Sequence, residues 1–232
     1  NVTGKNEWLA DIVLANSATV AAQAGTTLTL SGDISDLGGA NPQSNLTMRS
    51  TGKLVLSGNN TYRGNTIIPM GNVQVDGTIG NVQMVQGNWN GQVIRGVLRG
   101  AGTVGQINSS AARAIGTIAP GANGTATPTG ILKSASAIWG QSTTFSVQLN
   151  GPTAGTNYDQ LLVNGNIDLG GARLGVSAVP SLPVGSSYTI IQVVGGTRTG
   201  TFAGLANNAV VMLGGLRFRI NYTTTTVVLT RV

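Results

Sequence analysis

The feature that most constrains this chain is a long, constantly interrupted ladder that is almost free of acid. From Leu98 to Val232, short apolar–polar alternations are cut off by glycine or asparagine. No acidic residue lies between Asp76 and Asp159. A helix that buries one face needs apolar residues three and four apart over ten or more positions. Runs of about four alternating residues, each ended by turn formers, instead describe short β-strands. Such a chain satisfies its backbone by pairing strands and offers little for acid–base chemistry. It reads as a structural element or carrier rather than a catalyst.

Composition supports a folded chain. Only 9% of the 232 residues are charged, but 41% are hydrophobic, and disorder needs the opposite balance. Glycine, at 35 residues, is about twice its usual share of ~7%. There is no cysteine, which excludes thiol catalysis and thiolate metal sites, and no histidine, the commonest general base and metal ligand. No metal and no cofactor is expected. The net charge of +6 comes from scattered cations; only Arg217 and Arg219 form a close pair, which alternation places on one strand face. A nucleic-acid binder concentrates its charge and adds aromatic stacking, so no nucleic-acid partner is expected. No run reaches the ~18 apolar residues of a membrane helix, and no signal peptide opens the chain, so Asn1 is expected to be an internal cut or a mature terminus.

Residues 1–24 are the least β-like, with Trp8–Ala15 able to pass for two helical turns; they are read as short strands because the remainder is β. From Thr26 the pattern sharpens. Thr27–Leu30, Lys53–Leu56, Gly64–Ile68 and Asn72–Val75 each precede a turn signal, and Leu30 to Leu56 spans a period in the twenties, as in a solenoid coil. The pairs Asp76-Gly77, Asn90-Gly91, Asn150-Gly151 and Asn164-Gly165 could each close a hairpin. Periodicity alone therefore leaves a β-sandwich and a parallel β-helix open. The thin aromatic content of 4% favours the solenoid, whose narrow interior is filled by stacked aliphatics.

An ordered series of motifs carries a family resemblance. Gly52-Lys53-Leu54-Val55-Leu56-Ser57-Gly58-Asn59-Asn60-Thr61-Tyr62-Arg63-Gly64-Asn65-Thr66 resembles the autotransporter-associated β-strand repeat. Leu98-Arg99-Gly100-Ala101-Gly102-Thr103-Val104-Gly105, Ile118-Ala119-Pro120-Gly121, Tyr158-Asp159-Gln160-Leu161-Leu162-Val163-Asn164-Gly165, Leu169–Leu174 and Thr199–Leu205 continue in that family's order, and Ile220-Asn221-Tyr222 and Val227–Thr230 close it. No single motif is specific; the order over residues 52–232 is. The resemblance implies the C-terminal part of a type V secretion passenger: an all-β, right-handed parallel β-helix (β-solenoid) with a β-rich C-terminal cap. It implies coils over 1–144 and an autochaperone-like end over 145–232. It also implies an extracellular or bacterial cell-surface, outer-membrane-associated location, and a C-terminal membrane barrel of the same gene as partner. A homo-oligomer joined through the β-helix ends and a host or matrix glycan are the other partners considered.

The expected structural positions are Tyr158, Asp159, Leu161, Val163, Leu169, Leu174, Phe202, Val228 and Leu229, with Val176, Ile190 and Val193 also in the core. At ~20–25 residues and ~4.8 Å per coil the shaft should be about 40–50 Å long. No catalytic residue is assigned. Gly100, Gly102 and Gly105 spell a dinucleotide-like motif without the following helix or downstream acid, and read as tight corners. Asp33 and Asp36 are too few for calcium and read as turn formers. Lys133 with Ser134 and Ser136 lacks an accompanying base, and Asp159 is expected to cap backbone amides. Trp89, Trp139, Tyr62 and Tyr188 would bind sugar only if the fold gathered them. Three functions stay open: a non-enzymatic passenger shaft, a self-assembling filament, sheath or matrix subunit, and a polysaccharide-binding or polysaccharide-acting β-helix.

Overall fold

The computed structural model describes residues 3–39, 43–111, 114–122, 128–178 and 182–232, and every regular element among them is a β-strand. One eight-stranded sheet runs in the order β1 (Lys5–Trp8), β4 (Thr27–Leu30), β7 (Lys53–Leu56), β9 (Gly71–Val75), β13 (Gly96–Gly100), β15 (Gly116–Pro120), β17 (Thr143–Leu149) and β20 (Arg173–Ala178). Facing it is a thirteen-stranded sheet. Its parallel part contains β3 (Ala18–Val20), β6 (Leu46–Met48), β8 (Thr66–Ile68), β10 (Val82–Met84), β14 (Thr103–Ser109), β16 (Ile131–Trp139), β18 (Gln160–Val163) and β21 (Ser187–Val193). Two short strands, β19 (Ile167–Asp168) and β22 (Arg198–Thr199), extend the rows of β16. A minor parallel pair, β2 (Ile12–Leu14) with β5 (Ile34–Asp36), and a hairpin, β11 (Gly87–Trp89) with β12 (Gln92–Ile94), complete the coils. The chain visits the two long sheets in turn, always in the same direction, which makes a parallel β-solenoid.

Along the eight-stranded sheet the coil length varies from 19 residues, Lys53 to its partner Asn72, to 29, Thr144 to Arg173. The eight-stranded sheet therefore rises through seven steps, about 34 Å at ~4.8 Å each. That is shorter than the sequence spacing suggested, because the later coils use more residues per step. Side chains that point inward stack on those of the next coil. Leu54, Val73, Leu98, Ile118 and Phe145 form one such in-register column, each fully buried. Leu46, Thr66, Val82, Ile107, Ala137 and Ile167 form the column opposite. Burying each large aliphatic contributes roughly 1.5–3 kcal/mol.

The corners are held by close backbone approach and side-chain ladders. Gly100, in the dinucleotide-like motif, has φ +115°, and a Cβ there would occupy the space of the Val75 carbonyl one coil below. The motif is thus a corner where only glycine fits. Between coils, side-chain oxygens accept the amides of the next coil. Ser17 Oγ accepts from Asn45 N at 3.0 Å, Asn45 Oδ1 from Asn65 N at 2.7 Å and Asn81 Oδ1 from Gln106 N at 2.9 Å. This explains the chain's abundant asparagine without invoking a ligand.

Of the four hairpin signals, Asn90-Gly91 alone closes one: both residues take positive φ, 51° and 78°, as a tight two-residue hairpin turn requires. Asp76-Gly77 turns a corner between parallel strands. Asn164-Gly165 bends the chain within one row, since β18 and β19 on either side both pair with β16. Asn150-Gly151 opens a loop that returns at Tyr158 opposite Leu149.

Parallel pairing runs unchanged across residue 145 and continues to β21. There β25 (Thr226–Arg231) adds antiparallel, with a bulge between Thr189 and Ile191, followed by β24 (Leu216–Tyr222) and β23 (Val210–Leu213). This antiparallel end is the β-rich cap.

Candidate functional site

Among the described residues Asp159 is the most deeply placed charge-bearing side chain, 1% exposed. The loop after β17 doubles back, with Asn150 N donating to Asn157 O at 2.8 Å, and delivers Tyr158-Asp159 to the mouth of β18. There Asp159 Oδ1 accepts from Gly130 N at 2.9 Å and Oδ2 from Gln148 N at 2.8 Å. Its own amide donates to Gln148 O at 2.9 Å. One carboxylate thus ties the entry to β16, the end of β17 and the start of β18, three segments of successive coils. Burial pushes its pKa up from 3.8 to about 7, against the two backbone donors and the Arg99 guanidinium, which favour the charged form. The amide-capping role expected from sequence is the geometry found.

In the same late coils the aromatic side chains concentrate. Trp139, Phe145, Phe202 and Tyr222 follow one another at centroid distances of 5.3, 6.1 and 6.5 Å. Tyr158, Tyr188 and Phe218 form a second run at 5.4 and 6.3 Å with edge-on rings. Seven of the ten aromatics of the chain therefore lie between residues 139 and 222, inside the last coils and the cap. The sequence reading missed Phe145, Phe218 and Tyr222 as stack members. One signal was present: Tyr158 and Tyr188 are 30 apart, the same step as the paired residues Leu161 and Ile191.

Among the expected structural positions, Leu161, Val163, Leu169 and Leu229 are fully buried, Phe202 is 1% exposed and Tyr158 is at the buried rim. Ile190 and Val193 are buried as well. Val228 differs: Val227 and Leu229 point inward, so Val228 lies on the half-exposed outer face. The run Val227-Val228-Leu229 is apolar throughout, and only the pairing fixes which face is core. Leu174 and Val176 are half-buried because β20 is the last strand of its sheet.

The remaining candidates do not assemble into a reactive site. Asp33 Oδ1 accepts from Asn59 N at 2.7 Å and so belongs to a corner ladder, while Asp36 pairs with Arg63 at 3.1 Å. The Arg63 amide donates to Asp36, which holds its pKa below the usual value. Lys133 is exposed and Ser134 buried, so alternation directs them to opposite faces of β16. The four aromatics considered for sugar stacking are separated: Tyr62, Trp139 and Tyr188 are buried, and Trp89, on the hairpin, is 46% exposed. Across the outer face of β14, β16, β19 and β22 runs a shallow groove of about 460 Å³ with Gln106, Ser136, Asn166, Asp168 and Thr197 along it. Its polar groups are largely committed: Gln106 Nε2 donates to Ser136 Oγ at 3.2 Å, and Asn166 Oδ1 accepts from Thr197 N at 2.9 Å.

The chain matches no known protein-family model. It is similar to an extracellular serine protease of Serratia marcescens, 34% identical over 179 residues, which is 74% of this chain. The chain spans 15% of the length of that protein.

Proposed function

We propose that this chain is a non-enzymatic, extracellular β-solenoid segment of the passenger type, serving as an adhesive or spacer shaft whose C-terminal coils promote its own folding. The observation that carries this reading is the pairing of the Asp159 clamp with the two aromatic runs in the final coils and cap. Aromatic pairs contribute about 0.5–1.5 kcal/mol beyond their buried area, so stability is weighted toward that end. A parallel ladder grows most easily from an end that is already ordered, because each new coil then closes onto an existing template. The likeness to an extracellular protein of Serratia supports a secreted location, and the ordered motifs support attachment to a bacterial outer membrane through a barrel of the same gene. The non-enzymatic reading rests on chemistry: without histidine this segment holds no Ser-His-Asp triad, and its acids are each bonded within the fold, to backbone amides, Arg63, Ser31 or Gln74.

Hydrogen exchange of the intact chain tests the folding role. The slowest amides are expected in β16, β17, β18, β21 and β25. Slowest exchange in β4, β7 and β9 would overturn it. In the same spirit, residues 1–144 alone should be cleaved by protease faster than they are within the full chain.

A second reading, a self-assembling filament subunit, is favoured by one observation. The eight-stranded sheet ends in unpaired parallel edges, β1 at one end and β20 at the other. Fibres in electron micrographs of the purified chain would support it; monodisperse short rods would not.

A further inference from the structure

The acids of this chain stop at Asp168. Residues 169–232 carry Arg173, Arg198, Arg217, Arg219 and Arg231 with no acidic side chain. The cap sorts part of that charge onto one face. Along β24, Phe218 and Ile220 are fully buried while Arg217 and Arg219 are exposed. Along β23, Leu213 is buried, while Val210 is 42% and Met212 61% exposed. The register sets Met212 opposite Arg217 and Val210 opposite Arg219, and that second row continues to Thr230 and Ser187. Directly opposed residues share a face with their Cβ atoms about 5 Å apart. The outer surface of the cap is therefore two arginines, each beside an exposed apolar side chain, bordered by hydroxyls. Arg198 is occupied elsewhere, 5.0 Å above the Tyr222 ring and bonded to Thr223 O at 2.8 Å. Arg217 and Arg219 form no ion pair among the described residues.

We infer that this face docks on an anionic lipid surface. The arginines offer planar donor forks for lipid phosphates, and Met212 and Val210 reach between the headgroups. Other partners fit less well. A soluble acidic polymer would neutralise the arginines but leave the aliphatic side chains in water. An apolar protein surface would cover those side chains but bury two cations without counter-charge. Two arginines with two apolar residues give a reversible attachment, since firm anchoring needs more than one strong signal. The inference does not depend on the shaft reading, because it uses only the surface of the cap.

The test is co-sedimentation of the intact chain with phosphatidylglycerol–phosphatidylcholine vesicles and with phosphatidylcholine alone, at low and at physiological salt. Binding should require phosphatidylglycerol and weaken with salt. Each arginine near an anionic surface is worth about fivefold in partitioning, so Arg217→Gln with Arg219→Gln should lower binding roughly twenty- to thirtyfold. Arg49→Gln with Lys133→Gln removes the same charge from exposed positions on the coils and should have much less effect. Met212→Ser should weaken binding without changing net charge, which keeps a readout if the double arginine variant fails to fold. Equal loss in both double variants, unchanged binding in the cap variants, or binding to heparin but not to vesicles would each overturn the inference.

Discussion

Asp159 should make the stability of this protein fall as pH rises from acid toward neutrality, the reverse of the usual behaviour of a paired carboxylate. The sign follows from its pKa, 3.8 in the unfolded chain and about 7 in the fold. The folded state holds the proton more tightly, so the stabilisation is complete below about pH 4 and is lost as pH rises to about 7. At ~1.4 kcal/mol per pH unit, the interval from pH 5 to pH 7 alone should remove about 2–3 kcal/mol. The window is a clean one because the chain contains no histidine and no cysteine to titrate within it. Asp36, whose pKa is lowered, acts in the opposite direction and only below its ordinary range. The assay is urea unfolding followed by circular dichroism at pH 5, 6, 7 and 8, with Asp159→Asn as comparison. The amide keeps one oxygen for either Gly130 N or Gln148 N and sets its NH₂ against the other. It should therefore cost about 1–3 kcal/mol at pH 5 but show no slope. The two profiles should converge toward pH 8. A flat wild-type profile, or an equal slope in Asp159→Asn, would refute the reasoning.

Three further outcomes follow from the packing. Phe202→Ala, at the centre of the longer aromatic run, should lose about 3–5 kcal/mol in the same unfolding assay. Gly100→Ala sets a Cβ into the Val75 carbonyl at a positive φ and should cost more than ~3 kcal/mol or prevent folding, whereas Ala101→Gly beside it, on an exposed turn, should cost under ~1 kcal/mol. Trp89→Ala, on the exposed hairpin, should change stability by less than ~0.5 kcal/mol while removing one of two solvent-exposed tryptophans, so the red-shifted emission should fall but persist from Trp8.

The strand positions were legible because they depend on local chemistry. Lys53–Leu56 and Asn72–Val75 are short apolar-rich runs that then meet turn residues, and the structure has strands there. Even the ambiguous first residues form the short strands β1, β2 and β3. Partner choice was less legible. Asn90-Gly91 and Asn164-Gly165 carry the same two-residue signal, yet one closes a hairpin and the other bends a strand within its row. The difference lies in what each flanking strand can pair with, and no two-residue window contains that.

By itself the sequence determined the material: short strands, glycine corners, an asparagine-rich periphery and no histidine or cysteine with which to run common catalysis. Local steric and hydrogen-bonding preferences suffice for that. Only the tertiary structure decided which side chains meet. It put Val228 outside and Val227 inside, separated Tyr62 and Trp89 from the aromatic runs, and closed Asp159 between Gly130 and Gln148. Residues a coil apart in space are 16 to 31 apart in sequence here, and that step changes from coil to coil. A pattern with no constant period cannot announce its own register; the stacked backbone, once paired, sets it.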